Sequence, residues 1–153
     1  KNGKDVTIFS SGNITEVVID AANILKEQGI NAKIISLICL KPINSKFIIS
    51  QISSKNIVTV EEHSEIGGLG TAIADILMNN NLSHHITFKK IALQDRSHKE
   101  IGSQNYLRKL NDLDCDSIAK KIIKLIKKWL LRAFRLYKLI QSFHPGLNRI
   151  KIL

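Results

Sequence analysis

The sequence has little of what marks the specialised protein classes. Among 153 residues there are 2 Cys, 2 Pro, 1 Met, 1 Trp and 8 Gly, and aromatics make up only 5%. Cys39 and Cys115 form no C-x-x-C pair, which excludes a disulfide framework or a zinc knuckle and makes a reducing, cytoplasmic setting the expectation. Pro and Gly are scarce and without period, so a fibre is excluded. No stretch of about 18 apolar residues runs uninterrupted, so no spanning helix is expected, and neither end reads as a secretory signal. What the chain does have is 44% hydrophobic and 24% charged residues. That share excludes a disordered chain and suits one domain with a proper core.

Acidic residues are also missing, but only from one region. The net charge is +10. Residues 1–119 carry 13 Lys/Arg against all 13 Asp/Glu, and the other ten cations fall in residues 120–153, where there is no acid. A nucleic-acid-binding domain should be basic across a folded face. A neutral domain with a cationic extension is a different object, so a nucleic-acid partner is not expected. The division is a domain over residues 1–130 and a basic extension over 131–153. Lys1 is not a methionine and strand-like sequence begins almost at once, which fits a sequence that starts inside a larger protein.

Residues 6–10 read as a short β-branched strand before a Ser-Gly-Asn turn. Over 13–28 the residues Val17, Val18, Ala21, Ala22, Ile24 and Leu25 recur at helical spacing, with Asn13 or Thr15 as N-cap and Gly29 as the stop. Strands follow at 33–38, 57–62 and 86–93, and helices at 45–53, 71–79 and 105–110. Asp116 or Ser117 caps a final helix. Strands apolar on both faces, alternating with helices, imply a mostly parallel sheet covered on both sides. The fold class is therefore α/β, a three-layer α/β/α sandwich with a long basic C-terminal helix.

The strongest local signal is the strand–glycine turn–helix unit over residues 57–79. Open parallel sheets bind ligands beyond the carboxyl ends of their strands, where Glu61, Glu62, His63 and Ser64 fall as a candidate site rim or interface. Gly67, Gly68, Gly70 and Thr71 form a candidate anion-binding turn, since glycines let backbone approach an anion and the next helix offers free N–H groups. The same glycines also suit a tight turn and close helix–sheet packing. The run is half of a dinucleotide fingerprint, with Ile73 where a small residue belongs. Glu65 and Asp95 add acids, yet no spacing supports a metal, and no nucleophile motif occurs. His84-His85 reads as a solvated turn. No catalytic residue and no metal ligand is assigned.

On a helix running from Ser117 to Ile140, the cations Lys120, Lys121, Lys124, Lys127, Lys128, Arg132, Arg135 and Lys138 fall within roughly 140° of arc. Ile122, Ile126, Trp129, Ala133, Tyr137 and Ile140 take the other side. Residues 117–130 read as completing the domain. For 131–153, membrane contact, partner contact and disorder all stay open, and the candidate membrane-contacting stretch is 120–141.

The run from Glu61 to Gly70, Glu-Glu-His-Ser-Glu-Ile-Gly-Gly-Leu-Gly, preceded by Ile57-Val58-Thr59-Val60, resembles the C-terminal domain of the transketolase superfamily. The ordered set Asp5-Val6-Thr7-Ile8, Glu27-Gln28-Gly29-Ile30, Lys41-Pro42-Ile43, Asp95-Arg96 with Gly102, and the segment from Leu113 to Ile118 strengthens it. The resemblance spans roughly residues 3–129. Close relatives are the 1-deoxy-xylulose 5-phosphate synthases and the beta subunits of 2-oxo-acid dehydrogenases, and His63-Ser64 favours transketolase. The resemblance implies a C-terminal domain or small subunit that binds no cofactor by itself and contributes to a dimer. The complete enzyme would use thiamine diphosphate and Mg²⁺, held by cofactor-binding N-terminal domains or a partner subunit, to move a ketol unit between sugar phosphates. A stand-alone anion-binding or interaction module is the alternative.

Overall fold

A computed structural model describes residues 3–97 and 99–128 of the chain. Expectations for the helix beyond residue 128, for the basic extension at 131–153 and for most of the 120–141 stretch lie outside the described residues. Four strands, β1 (Val6–Ser10), β2 (Ala32–Ser36), β3 (Asn56–Ser64) and β4 (Thr87–Leu93), form one sheet in the order β2-β1-β3-β4. All three pairings are parallel. The helices are α1 (Ile14–Glu27), α2 (Ser45–Gln51), α3 (Leu69–Asn79), α4 (Gln104–Leu110) and α5, helical over residues 115–128. A short 3₁₀ turn, Ser83–His85, carries the exposed His84 and His85. Among the described residues no helix is long and apolar enough to cross a membrane.

The strands alternate between two cores. Val6 and Ile8 of β1, Val58 and Val60 of β3 and Ile91 of β4 pack with Ile14, Val18, Ala21, Ala22 and Leu25 of α1 and Ile118, Ala119 and Ile122 of α5. The intervening residues Phe9 and Ile57 turn to the other face, against Ile48 of α2 and Leu69, Ile73, Ile76 and Leu77 of α3. Period-two alternation in a sheet covered on both sides makes both sets apolar, as the sequence suggests. Each fully buried Ile or Leu contributes about 1.5–3 kcal/mol. The result is the expected α/β/α sandwich, its sheet wholly parallel among the described residues.

Helix ends account for the loops. α1 stops in a paired arrangement in which Ile30 N–H donates to Leu25 C=O at 2.9 Å and Gly29 N–H to Lys26 C=O at 3.0 Å. Gly29 takes φ +75°, a value costly for a residue with a Cβ, so its role as the stop is as expected. α4 ends the same way without glycine, at Asp112, and thereby drops Leu113 into the core.

Some expectations fail locally. β2 ends at Ser36, and Ile38, placed by its apolar character in the strand, is fully exposed in the loop beyond. Asn13 precedes α1 but makes no side-chain cap. α3 starts at Leu69, two residues before Thr71, and α5 is capped by Asp114, not by Asp116 or Ser117: Ser117 N–H donates to Asp114 Oδ1 at 3.1 Å. Three acids in five residues made the capping position ambiguous; only the one three residues before a free N–H fits.

Partial burial pushes the Asp114 carboxyl up, but the hydrogen bonds from Ser117 outweigh it and hold the group below its ordinary value. A depressed carboxylate stabilises the fold above the unfolded-state pKa of about 3.9 and loses that contribution as pH falls through the folded-state value. Asp114→Ala should therefore cost about 1 kcal/mol at pH 7. Thermal unfolding of both proteins along a series from pH 7 to pH 3 should show the gap closing in the acid range.

Candidate functional site

The sheet order has a reversal point. From β1 the chain steps one way to β2 and then crosses to the other side for β3 and β4, leaving a crevice beyond the carboxyl ends of β1 and β3. β3 pairs with β1 only as far as Val60 opposite Ser10, so residues 61–64 overhang the crevice. Against β4 the register shifts between Val60 and Ser64, which lie opposite Ile91 and Leu93. That irregularity re-aims the side chains at the strand end. A cavity of about 510 Å³ lies there, lined in part by Gly12, Lys41, Glu61, Glu62, His63 and Gly68.

Glu61 and Glu62 point to opposite faces. Glu61, 4% exposed, turns toward α3, where its carboxylate accepts from Leu69 N–H at 2.7 Å and Gly70 N–H at 2.8 Å. Those two donors are among the groups left free at a helix start, and the helix dipole favours a negative charge there. They are also the donors that an outside anion would need. Gly68 makes the contact feasible: a Cβ at this position would overlap the Glu61 carboxylate, with Cδ at 2.8 Å.

Glu62 turns to the α4 side. Arg108 donates to it through Nε at 2.6 Å and a terminal nitrogen at 2.9 Å, and Gln104 adds a longer contact at 3.2 Å. This paired fork is the strong geometry for carboxylate and guanidinium, and the Arg108 side chain is 10% exposed. The hydrogen bond to Glu62 raises the Arg108 pKa above its already high ordinary value. A second cavity of about 420 Å³ opens beside the pair, lined in part by Leu93, Leu107 and Leu113.

The rest of the loop is fixed by short-range bonds. Ser64 Oγ donates to Asp95 at 3.1 Å and accepts from Ile66 N–H at 3.2 Å. Thr71 Oγ1 accepts from Gly67 N–H at 3.0 Å. Lys90 Nζ, reaching across from β4, donates to Glu65 C=O at 2.8 Å and Thr71 Oγ1 at 3.2 Å. Gly70 leaves room for its stem, since a Cβ there would meet Lys90 Cδ at 2.8 Å. His63 is exposed, its Nδ1 3.2 Å from Ser64 C=O.

All eight residues singled out from sequence thus gather at one sheet end. Arg108, Gln104 and Lys90 escaped sequence reading. Lys90 left a signal, as one of two adjacent lysines in an otherwise apolar strand; nothing local marks Arg108 as the partner of Glu62. Glu65 and Asp95 do not join a ligand set, for among the described residues no three His, Cys, Asp or Glu are placed to hold a metal ion.

Residues 1–118 match the family described as transketolase, C-terminal domain. The chain belongs to that family. It is 38% identical over 127 residues to the transketolase C-terminal section of Methanocaldococcus jannaschii, covering 83% of this chain and 39% of that protein. It is 33% identical to the 1-deoxy-D-xylulose-5-phosphate synthase of Halothermothrix orenii, over 82% of this chain and 20% of the synthase. Among solved structures, a split-gene transketolase, an inactive beta4 tetramer, superposes with a TM-score of 0.72 at 29% identity, over 83% of this chain and 41% of that one. A transketolase mutant from Pichia stipitis, at 19% identity and a TM-score of 0.60, shares the fold over 83% of this chain and 17% of its own. The transketolase C-terminal domain described here therefore spans about two fifths or less of these relatives.

The Glu61 arrangement makes a quantitative demand. Glu61→Ala leaves two buried N–H groups without a partner and should cost about 3 kcal/mol. Gly68→Ala, which displaces the same carboxylate, should cost about 2 kcal/mol. Because both changes break one contact, the double variant should fall short of the sum by about 1 kcal/mol or more, measured by urea unfolding.

Proposed function

We propose that this chain is the C-terminal domain or small subunit of a thiamine-diphosphate-dependent transketolase, where it builds the assembly and does no chemistry of its own. The complete enzyme would pass a two-carbon ketol unit between sugar phosphates, as a homodimer in the cytoplasm. His63-Ser64 after the paired glutamates favours transketolase over a 1-deoxy-xylulose 5-phosphate synthase, the second reading. A subunit role has support in the names of relatives. They include a C-terminal section and, at 25% identity, one of the subunits of an apulose-4-phosphate transketolase from Actinobacillus succinogenes.

The observation that carries the reading is how the crevice end of the sheet uses its polar groups. Glu61 holds α3 and Glu62 holds α4, so both carboxylates serve structure. Apolar side chains stand out at the same edge instead. Ile38 after β2 is 101% exposed, Ile66 after β3 is 62% exposed and Ile101 after β4 is 94% exposed. Bulky apolar residues on three loops of one sheet edge suit burial against another protein surface. The edge is the docking face for the cofactor-bearing section.

Thiamine diphosphate and Mg²⁺ need phosphate-holding donors and oxygen ligands. Leu69 N–H and Gly70 N–H, the donors of the glycine turn, already hold Glu61. The residues present do not fit the group.

Calorimetry of the chain alone should show no binding of thiamine diphosphate with Mg²⁺; binding would contradict the domain assignment. Mixed with its cofactor-bearing section, the chain should complete a ketol-transferring enzyme. Ile38→Asp with Ile101→Asp should keep the melting temperature of the free chain and weaken that association at least about 100-fold, read by analytical ultracentrifugation. Unchanged association would move the docking face elsewhere.

A further inference from the structure

Past Asp116 in its first turn, the outward face of α5 carries only positive charge. Ile118, Ala119 and Ile122 are buried beneath the helix, while Lys120, Lys124, Lys127 and Lys128 are exposed. At 100° per residue these four lie within about 100° of arc and along roughly 12 Å of helix. Lys121 flanks the row and is paired with Asp112 at 3.5 Å.

An ordinary solvated face looks different in this same molecule. The exposed positions of α1 mix signs, with Glu16, Asp20, Lys26 and Glu27. On α5 the spacings Lys120/Lys124, Lys124/Lys127 and Lys124/Lys128 bring like charges together, which weakens a helix. Asp116, four residues before Lys120, is the one acid among the described residues of α5, and residues 117–153 hold no Asp or Glu. Within the described helix the row is all lysine, and in the sequence Arg132 and Arg135 continue it. Lysine is a compact, strongly hydrated point charge that suits a diffuse anionic surface, whereas arginine is the residue for fork-like recognition of single phosphates or bases. In the sequence, Trp129, Leu130, Leu131 and Phe134 come next, the apolar and aromatic types that sit at the headgroup boundary of a bilayer.

We propose that the lysine face of α5 binds the surface of an anionic lipid bilayer, holding the domain at the membrane without spanning it. The attraction is electrostatic, with each lysine near the surface adding to it, and salt screens it.

The test uses the full chain and vesicle sedimentation, with pure phosphatidylcholine against a mixture containing phosphatidylserine. Binding should require phosphatidylserine and fall at least about tenfold between low and high salt. The quadruple variant Lys120→Gln, Lys124→Gln, Lys127→Gln, Lys128→Gln should keep its circular dichroism and melting temperature and lose about two orders of magnitude in affinity. A second variant, Lys26→Gln with Lys46→Gln, removes surface cations elsewhere and should bind as the parent does. Equal binding to uncharged vesicles, or full binding by the quadruple variant, would overturn the proposal. So would tighter, lysine-dependent binding to duplex DNA or single-stranded RNA than to the anionic vesicles.

Discussion

The carboxylate of Glu61 sits where the free N–H groups of α3 need an acceptor, and the register of β3 puts it there. Residues 57, 59 and 61 share one face of the strand, so the residue that follows two buried positions must turn into the same layer. A buried carboxylate without partners would be expensive. Here it meets Leu69 N–H and Gly70 N–H at the positive end of a helix dipole, and Gly68 removes the one atom that would block it. Strand, turn and helix are thereby locked into one unit. The glycine turn that could face an outside anion closes on an inside one.

The neighbouring Glu62 does the complementary work because of the same period of two. It faces the other layer, and its fork to Arg108 fixes α4, which in turn delivers Leu113 and the start of α5 to the core. Lys90 adds a third tie, from β4 to the Glu65 carbonyl and Thr71. Three polar links thus hold the loop of residues 61–71 from both sides of the sheet. The crevice rim they create is shaped but chemically occupied, and Ile38, Ile66 and Ile101 stand exposed on the loops that follow β2, β3 and β4. That division of labour fits a domain that spans about two fifths or less of the relatives it matches.

Much of this was legible in the sequence, for reasons that differ by level. The α/β order was readable because apolar strands and amphipathic helices differ in period, and Gly29 marks a helix end through a backbone angle few other residues accept. The residues from Glu61 to Thr71 could be singled out because acids followed by glycines at a strand end are a local pattern. Their partners were not local. Arg108 lies 46 residues from Glu62, and only the packing of α4 beside β3 joins them. Ile38 reads as strand interior by composition, yet the strand stops at Ser36 and leaves it in water. Asp116 and Ser117 compete as caps on paper, and the hydrogen bond from Ser117 N–H to Asp114 gives the role to neither.

The Glu61 carboxylate, not solvent or a bound anion, holds the start of α3. Native-state hydrogen exchange at the Leu69 and Gly70 amides reads this directly. Both should exchange only with global unfolding, with protection matching that of core amides such as Ile57 and Val58, and added phosphate or sulfate should leave it unchanged. Exchange at the rate of an exposed loop, or protection that depends on added anion, would contradict it.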